Sequence, residues 1–474
     1  MIPDEIKKYR PKCTEIRYRN GTYYVYKITS VWDPKKKKAK KKTLNCIGKI
    51  TEKDGFIPSQ KMAAVEKVIV KDYGCYQLFV SLNSELYENL KSSFESNYRE
   101  IFVIALIRLL NRATHAGIKR HFDASYLSEE YTDLHLSENT ITSFMKNLGE
   151  QRSEIRKFML KYVMQGETLL FDGTTIFTSS ENSSYAREGY NSKKRKSKQV
   201  NLLYAFDKSN HAPVYYRLLP GNIVDKAAFV QMVRETGIEN CIIIADKGFY
   251  SKINTSYLDE NHILYILPLK DNTKYVDDGF LGNPNLSKYN GCFVYHDRVI
   301  WYKKEAVGND KKYIYIFQDD GGKKKNELTY MKKKEADYGE YTMDDFFERQ
   351  KRFGMLFFYS NIDVEPKEIY LDYKGRWEIE ECFDYLKNSL DLGTVSQQSN
   401  EKIEAWAFLN HISLMMFYSL YRKLTDTKLI CKYCPEDIID ISRNISKVKV
   451  NNQWYVSEVS KNDLGLLSSI GINL

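Results

Sequence analysis

No uncharged apolar run in this sequence reaches the roughly 18 residues that a membrane span needs. The start, Met1 to Arg10, is polar, so no signal peptide is expected. Eight Cys are scattered without the spacing of a disulfide framework. Cys431 and Cys434 form one CxxC, but no second pair and no His pair follows at a matching distance, which weighs against structural zinc. No internal repeat is visible. These absences argue against membrane-spanning and disulfide-stapled secreted classes and predict a cytosolic protein with reduced thiols.

What is present suits sizeable cores. The chain has 474 residues, 43% hydrophobic and 14% aromatic, far from a disordered composition. Tyr dominates the aromatics with 37 residues, so many rings carry a polar tip. Lys and Arg number 72 against 62 Asp and Glu, a modest excess. The basic residues cluster at Lys35–Lys42, Lys193–Lys198, Lys323–Lys325 and Lys332–Lys334, as suits a polyanion partner, although any one such block is as readily a solvated loop.

Along the chain, residues 1–59 read as a small β unit. Asn20-Gly21 marks a hairpin turn, and Lys35–Lys42 reads as a second hairpin loop followed by a short strand through Leu44 to Ile47. Residues 60–165 read as all-α, with Ser137 opening one helix and Arg99–Leu110 apolar on one face; DNA-end contacts there rest on position alone. From 166 to 270 strands and helices alternate: strands at Thr168–Phe171, Val200–Phe206, Val214–Leu219, Cys241–Ala245 and Ile263–Leu269, and a helix at Asp225–Glu235. Residues 271–354 interrupt this order and read as a mostly β insertion with two Lys-rich loops. The α/β pattern returns over 355–425 with a strand at Met355–Tyr359 and long helices near 366–390 and 401–423. The tail 426–474 is ambiguous and is assigned dimer or DNA contacts by position.

Asp172 and Asp246 each directly follow an apolar strand segment, where α/β sheets place their sites. Carboxylates held there suit Mg²⁺, which takes oxygen ligands, and two ions about 3.5–4 Å apart can serve an in-line displacement at phosphorus. The third acid is expected on the helix after Pro366. Tyr373, Arg376, Glu380 and Lys387 are spaced by 3, 4 and 7 residues, which on an unbroken helix confines them to an arc of about 60°. Ile379, Phe383, Leu386 and Leu390 form a neighbouring apolar stripe that can pack on the sheet. Taken alone, Arg376 and Glu380 are an ordinary i,i+4 ion pair. Two strand-end Asp and a helix Glu in one αβ-alternating block say more.

The spacing Tyr373-x2-Arg376-x3-Glu380-x6-Lys387 resembles the YREK signature of DDE transposases of bacterial insertion sequences, the insertion-sequence-four superfamily. Leu170-Phe171-Asp172-Gly173-Thr174-Thr175 and Ile244-Ala245-Asp246-Lys247-Gly248-Phe249-Tyr250 resemble its two Asp segments, and Gly221-Asn222 followed by Asp225 resembles the segment between them. The resemblance covers about 165–425. It implies an α/β ribonuclease-H-like catalytic core (166–270 and 355–425) with a β insertion. It implies cut-and-paste chemistry, often through a DNA hairpin, with two Mg²⁺ or Mn²⁺ ions on Asp172, Asp246 and Glu380. Tyr373, Arg376 and Lys387 would contact the transposon-end backbone. Expected partners are double-stranded DNA (terminal inverted repeats and target) and a second copy in a synaptic complex, with no membrane, in a prokaryotic cytoplasm at the nucleoid. Lys193, Lys194, Arg195 and Lys196 are assigned phosphate contacts. Trp301, alone of its kind in the insertion, is assigned stacking on a flipped base, although a strand Trp is ordinarily packing. His211 and His296 are left without a role, since metal-activated water needs no general base. The rival readings are a silent transposase descendant that only binds DNA and a nuclease on the same fold that cuts without joining.

Overall fold

In a computed structural model of the chain, the structure describes residues 2–33, 38–59, 68–189, 197–223, 225–270, 273–276, 278–281, 285–308, 311–336, 341–390 and 392–473. The chain divides into two units, Met1–Val70 with Lys447–Val456, and Lys71–Ser446 with Ser457–Leu474.

The first unit holds a sheet of β1 (Thr14–Arg19), β2 (Thr22–Asp33), β3 (Lys38–Thr51) and β4 (Gly55–Pro58) in that order. Asn20 and Gly21 between β1 and β2 have φ of 47° and 78°, the left-handed pair that a two-residue hairpin turn requires. Ile6, Ile16, Val25 and Ile50 form its small core. The expected Lys35–Lys42 loop is corrected in part: Lys38–Lys42 lie within β3, paired with β2, and Lys35–Lys37 fall outside the described residues. Cross-strand hydrogen bonds continue there although no side chain is buried, so hydrophobic alternation gave no signal.

In the second unit, β5 (Val68–Asp72, shared with the first) begins a stretch otherwise made of helices, a strand that the all-α reading missed. The helix Tyr98–Asn111 buries every residue from Ile101 to Leu110, not one face, because it packs against the 27-residue helix Asn400–Asp426. Arg108 is buried between them. Its Nε and Nη2 donate to Asn410 Oδ1 at 3.1 and 2.8 Å, its Nη1 donates to the Ala113 carbonyl at 2.6 Å, and its guanidinium lies 3.7 Å from the Trp406 ring centroid. Buried charge is tolerated here because its donors are taken up. Helix Glu138–Glu150 opens on Ser137, whose Oγ accepts the Thr140 N–H at 3.2 Å.

Residues 166–270 contribute to a mixed sheet β6 (Thr168–Thr178), β7 (Arg187–Glu188), β8 (Lys198–Asp207), β9 (Ala212–Pro220), β10 (Ile242–Ala245) and β11 (Leu264–Pro268). β9, β8 and β6 are antiparallel neighbours, while β6, β10 and β11 run parallel. This arrangement accords with the ribonuclease-H-like core that the resemblance implies. β12 (Gly291–Tyr295), β13 (Arg298–Ala306), β14 (Tyr313–Asp319) and β15 (Met355–Ser360) extend the same sheet beyond β11, and β16 (Thr394–Val395) pairs with the far end of β6. β17 (Ser446–Val450) and β18 (Gln453–Val456) join β5 in a separate sheet.

The inserted segment is not mostly β. After β14 it forms helices Asp320–Glu335 and Met343–Gln350. Lys323–Lys325 and Lys332–Lys334, expected in loops, both belong to the first of these. Lys is a good helix former, and Asp319 caps the start by accepting the Gly322 N–H at 3.0 Å. Among the described residues no single helix is long and apolar enough to cross a membrane.

One close contact sets the packing of the helical region. A Cβ on Gly149 would lie 1.8 Å from the Glu401 carbonyl oxygen. Gly149→Ala must therefore push helices Glu138–Glu150 and Asn400–Asp426 apart. We expect it to cost about 1–3 kcal/mol, the range of overpacked cores, read as a lower urea midpoint at unchanged slope. An unchanged midpoint would contradict this packing.

Candidate active site

The site begins with a register. β6 and β10 pair in parallel through Ile242↔Thr168, Ile243↔Leu169, Ile244↔Leu170 and Ala245↔Phe171. Leu169, Leu170, Phe171, Ile243, Ile244 and Ala245 are all buried, so a slip would expose apolar surface. The next residues in the two strands' paths are Asp172 and Asp246. Neighbouring strands lie about 4.8 Å apart, so these acids stand side by side. The strand-end expectation for Asp172 needs correcting: β6 runs on to Thr178 because β8 pairs with it as far as Phe177. Asp172 is thus mid-strand, at the point where its partner β10 stops.

The third acid comes from the segment after β15, whose expected continuous helix is interrupted. Helix Pro366–Lys374 ends at Gly375, Arg376 precedes a second helix Trp377–Asp384, and Tyr385–Ser389 closes it with a π-turn. Gly375 leaves room for Lys208: a Cβ there would lie 2.4 Å from Lys208 Cε, and Lys208 Nζ donates to Asp372 Oδ1 at 2.8 Å. His211, in the same β8–β9 turn, pairs through Nδ1 with Glu378 Oε2 at 2.7 Å. This turn therefore holds both halves of the acid-bearing segment. No periodicity announced it; Gly375 inside a helical pattern was the only hint. The apolar stripe behaves as expected, with Ile379, Phe383, Leu386 and Leu390 all buried.

Arg376 joins the acids. Its Nη1 donates to Asp172 Oδ2 at 2.9 Å, and its Nη2 donates to Glu380 Oε1. The Gly173 N–H donates to Asp172 Oδ1 at 2.8 Å. Tyr373 packs on Phe358, with ring centroids 4.5 Å apart, and its ring lies 5.6 Å from the Arg376 guanidinium. Burial pushes the Asp172 carboxyl up to about 6; Arg376 and the Gly173 N–H oppose this rise, and the Asp246 and Glu380 charges add to it. Burial opposes the Arg376 charge, but Tyr373 and the three acids outweigh it and raise the pKa of its guanidinium. Burial likewise raises the Tyr373 hydroxyl. Each of the three acids thus acts on the same guanidinium.

Lys387 falls in the π-turn, so the stripe calculated for an unbroken helix does not extend to it. Trp301 is half-buried in β13 beside Tyr289, four strands along the sheet from β10, or about 19 Å at the usual strand spacing. It pairs with Gln318, which pairs with Met355, toward the sheet edge at which β10 and β11 end. Lys193, Lys194, Arg195 and Lys196 lie outside the described residues.

The three carboxylates offer the hard oxygen donors that a divalent ion takes, and a buried acid raised by its acidic neighbours is a group that an added cation would relieve. Their chemistry fits such an ion. Their present geometry is not that of a closed ligand cage: among the described residues no group of three or more His, Cys, Asp or Glu is assembled for a metal. The Arg376 guanidinium takes an oxygen from Asp172 and one from Glu380 instead.

The shift on Asp172 has a stability consequence. Its folded pKa lies above its ordinary 3.8, so the folded form holds the proton more tightly. The stability from this group is fully present below pH ~4 and is lost as pH rises through about 6, a change on the order of 2–3 kcal/mol. Asp172→Asn removes the titration. With chelator present, the variant's unfolding free energy relative to wild type is expected to rise between pH 4.5 and 7; a constant difference would contradict the buried, raised carboxyl.

Residues 164–416 match the family model described as a transposase DDE domain. No curated protein matches the chain. Among solved structures the chain is similar to a piggyBac transposase synaptic complex with hairpin DNA, at 11% identity and TM-score 0.41 over 78% of each chain. It is also similar to a Mos1 transposase paired-end complex with the left transposon end, at 16% identity and TM-score 0.16 over 33% of this chain and 58% of that one. A pre-cleavage Mos1 transpososome matches at 17% identity and TM-score 0.16, over 34% and 57%. TM-scores this low carry no weight for fold or function. The family match spans more than half of the 474 residues and contains Asp172, Asp246 and Glu380. The chain therefore belongs to the DDE-domain transposase family.

Proposed function

We propose that this protein is a DNA transposase of the insertion-sequence-four type that cleaves the ends of its element and joins them to target DNA, with Asp172, Asp246 and Glu380 as the catalytic acids. The observation that carries the proposal is the convergence of these acids: Asp172 lies in β6 where its parallel neighbour β10 stops, Asp246 directly follows β10, and Arg376 ties the first acid to the third. The three would hold two divalent ions, Mg²⁺ or Mn²⁺. When bound, such ions lower the pKa of the attacking water or hydroxyl and screen charge on the attacking and leaving oxygens.

The chain's own residues do the rest. The buried strands β6 and β10 hold Asp172 and Asp246 rigidly, so little reorganisation accompanies reaction. Arg376 neutralises the acids before a phosphate arrives, and its guanidinium then suits the phosphate oxygens next to the cut. Tyr373 and Lys387 contact the same strand. In the cleavage step water oxygen bonds to phosphorus and the bond to the 3′ oxygen breaks, leaving a 3′ hydroxyl and a 5′ phosphate. In joining, that hydroxyl attacks a target phosphodiester, and one P–O bond forms as another breaks. Trp301, at the sheet edge toward which β10 runs, would stack on a base displaced beside the end. The Lys193–Lys196 block would contact backbone phosphates, and pairing two ends calls for a second copy of the chain.

Duplex DNA from the flanks of the reading frame, incubated with wild-type protein and Mg²⁺ or Mn²⁺, should be cut at a fixed position and then joined to a target plasmid. Ions at such sites contribute several kcal/mol to the transition state, so Asp172→Asn, Asp246→Asn and Glu380→Gln should each cut about a hundredfold or more slowly, with end binding retained. No cutting by wild type, or full cutting by Glu380→Gln, would overturn the proposal. Cutting without joining would point to a nuclease, and binding without cutting in any metal to a silent descendant.

A further inference from the structure

The positive charge of this chain is concentrated at one end. Residues 1–70 hold 18 Lys and Arg against 7 Asp and Glu, whereas the other 404 residues hold 54 against 55. The whole-chain excess of 10 therefore arises in the first unit, and the catalytic region is close to neutral.

Within that unit the charge sits on an unusual element. β1 accompanies β2 only as far as Lys27, and β4 accompanies β3 only over Gly48–Thr51. Past the irregular pairing at Tyr26 and Ile28, the two strands continue as a ribbon with no third strand among the described residues, from Ile28↔Thr43 to Asp33↔Lys38. Its six pairs span about 17 Å. Thr29 to Trp32 and Lys38 to Lys42 are all exposed, including Trp32 at 63% and Val31 at 50%. Isolated two-stranded ribbons are marginally stable in water, and a monomer has no folding reason to expose this one.

The pairing sorts its side chains. Thr29, Val31, Lys38, Lys40 and Lys42 share one face; Ser30, Trp32, Ala39 and Lys41 share the other. Lys41 is held by Glu15 at 2.8 Å. Lys38, Lys40 and Lys42 form no ion pair among the described residues, and they follow one another at about 6.8 Å along the strand. Duplex DNA carries a charge every ~1.7 Å of axis, and its major groove, about 12 Å wide, admits a two-stranded ribbon.

We propose that the ribbon of β2 and β3 is a DNA-binding arm separate from the catalytic site, seated along duplex DNA with Lys38, Lys40 and Lys42 on backbone phosphates and Val31, exposed on the same face, as its apolar contact. The choice of DNA over another polyanion rests on the reading of the protein as a transposase. The arm contributes affinity without reading sequence, because its charged contacts are to phosphate.

The test uses the full chain and a 30-base-pair duplex of arbitrary sequence, with binding followed by fluorescence anisotropy across a salt series. Lys38→Thr, Lys40→Thr and Lys42→Thr combined should flatten the dependence of log K on log salt by about 2.7, at roughly 0.9 per phosphate, and the triple Arg variant should restore it. Thr suits strands, so the fold should persist. The wild-type protein provides a second readout: DNA should protect Lys38, Lys40 and Lys42 from acylation while leaving the exposed Lys53 reactive. An unchanged salt slope, equal acylation with and without DNA, or tighter binding to anionic phosphatidylserine vesicles than to duplex would each overturn the arm. Failure of end cutting with a flattened slope would remove the transposase reading and leave the arm standing; cutting with an unchanged slope would do the reverse.

Discussion

Four in-register pairs between β6 and β10 decide where the first two candidate acids stand in this protein. Both strands are buried at three of these four pairs, so the register carries a strict sense of inside and outside. A slip by one residue would send Asp172 and Asp246 to opposite faces and bring apolar side chains into water. Two acids can be held side by side only because the apolar residues before them leave no alternative. The long pairing of β6 with β8 then keeps the first acid from fraying, as a free strand end would.

Holding acids this way has an electrostatic cost that Arg376 partly offsets. One guanidinium reaches both Asp172 and Glu380, and Asp172 still titrates high because burial and its acidic neighbours together outweigh that one counter-charge. The site is thus short of positive charge, as suits a centre that works with divalent ions and phosphate. Arg376 lies between the two helices, beside Gly375, whose bare backbone leaves room for Lys208 from the β8–β9 turn. The segment that carries the third acid is therefore held by a turn on the opposite side of β6 from β10.

The core strands were legible because buried parallel strands read as continuous apolar runs, as at Leu169–Phe171 and Ile242–Ala245. The Asn20-Gly21 turn and the Ser137 cap were legible because each depends on local backbone chemistry. Failures occurred where distant neighbours decide. β6 is long because of β8, and Lys38–Lys42 are strand because of β2. The Lys-rich part of the insertion is helix, which charge runs alone do not distinguish from loop. The uniform helical wheel placed Tyr373, Arg376 and Glu380 near one another but did not foresee the turn at Gly375 or the π-turn at Lys387.

The sequence by itself determined the candidate acids, their order and their local setting, since apolar runs and i,i+3 and i,i+4 spacing are properties of short segments. It also determined the family, through motifs that are themselves short. Only the tertiary structure decided that Asp172 and Asp246 are neighbours, that Arg376, which also bonds Glu380, reaches Asp172 across 204 residues of chain, and that the lysines of β3 stand on an unaccompanied ribbon. Those facts depend on which strand lies beside which and in what register, and pairing between distant segments leaves no periodic trace in either one.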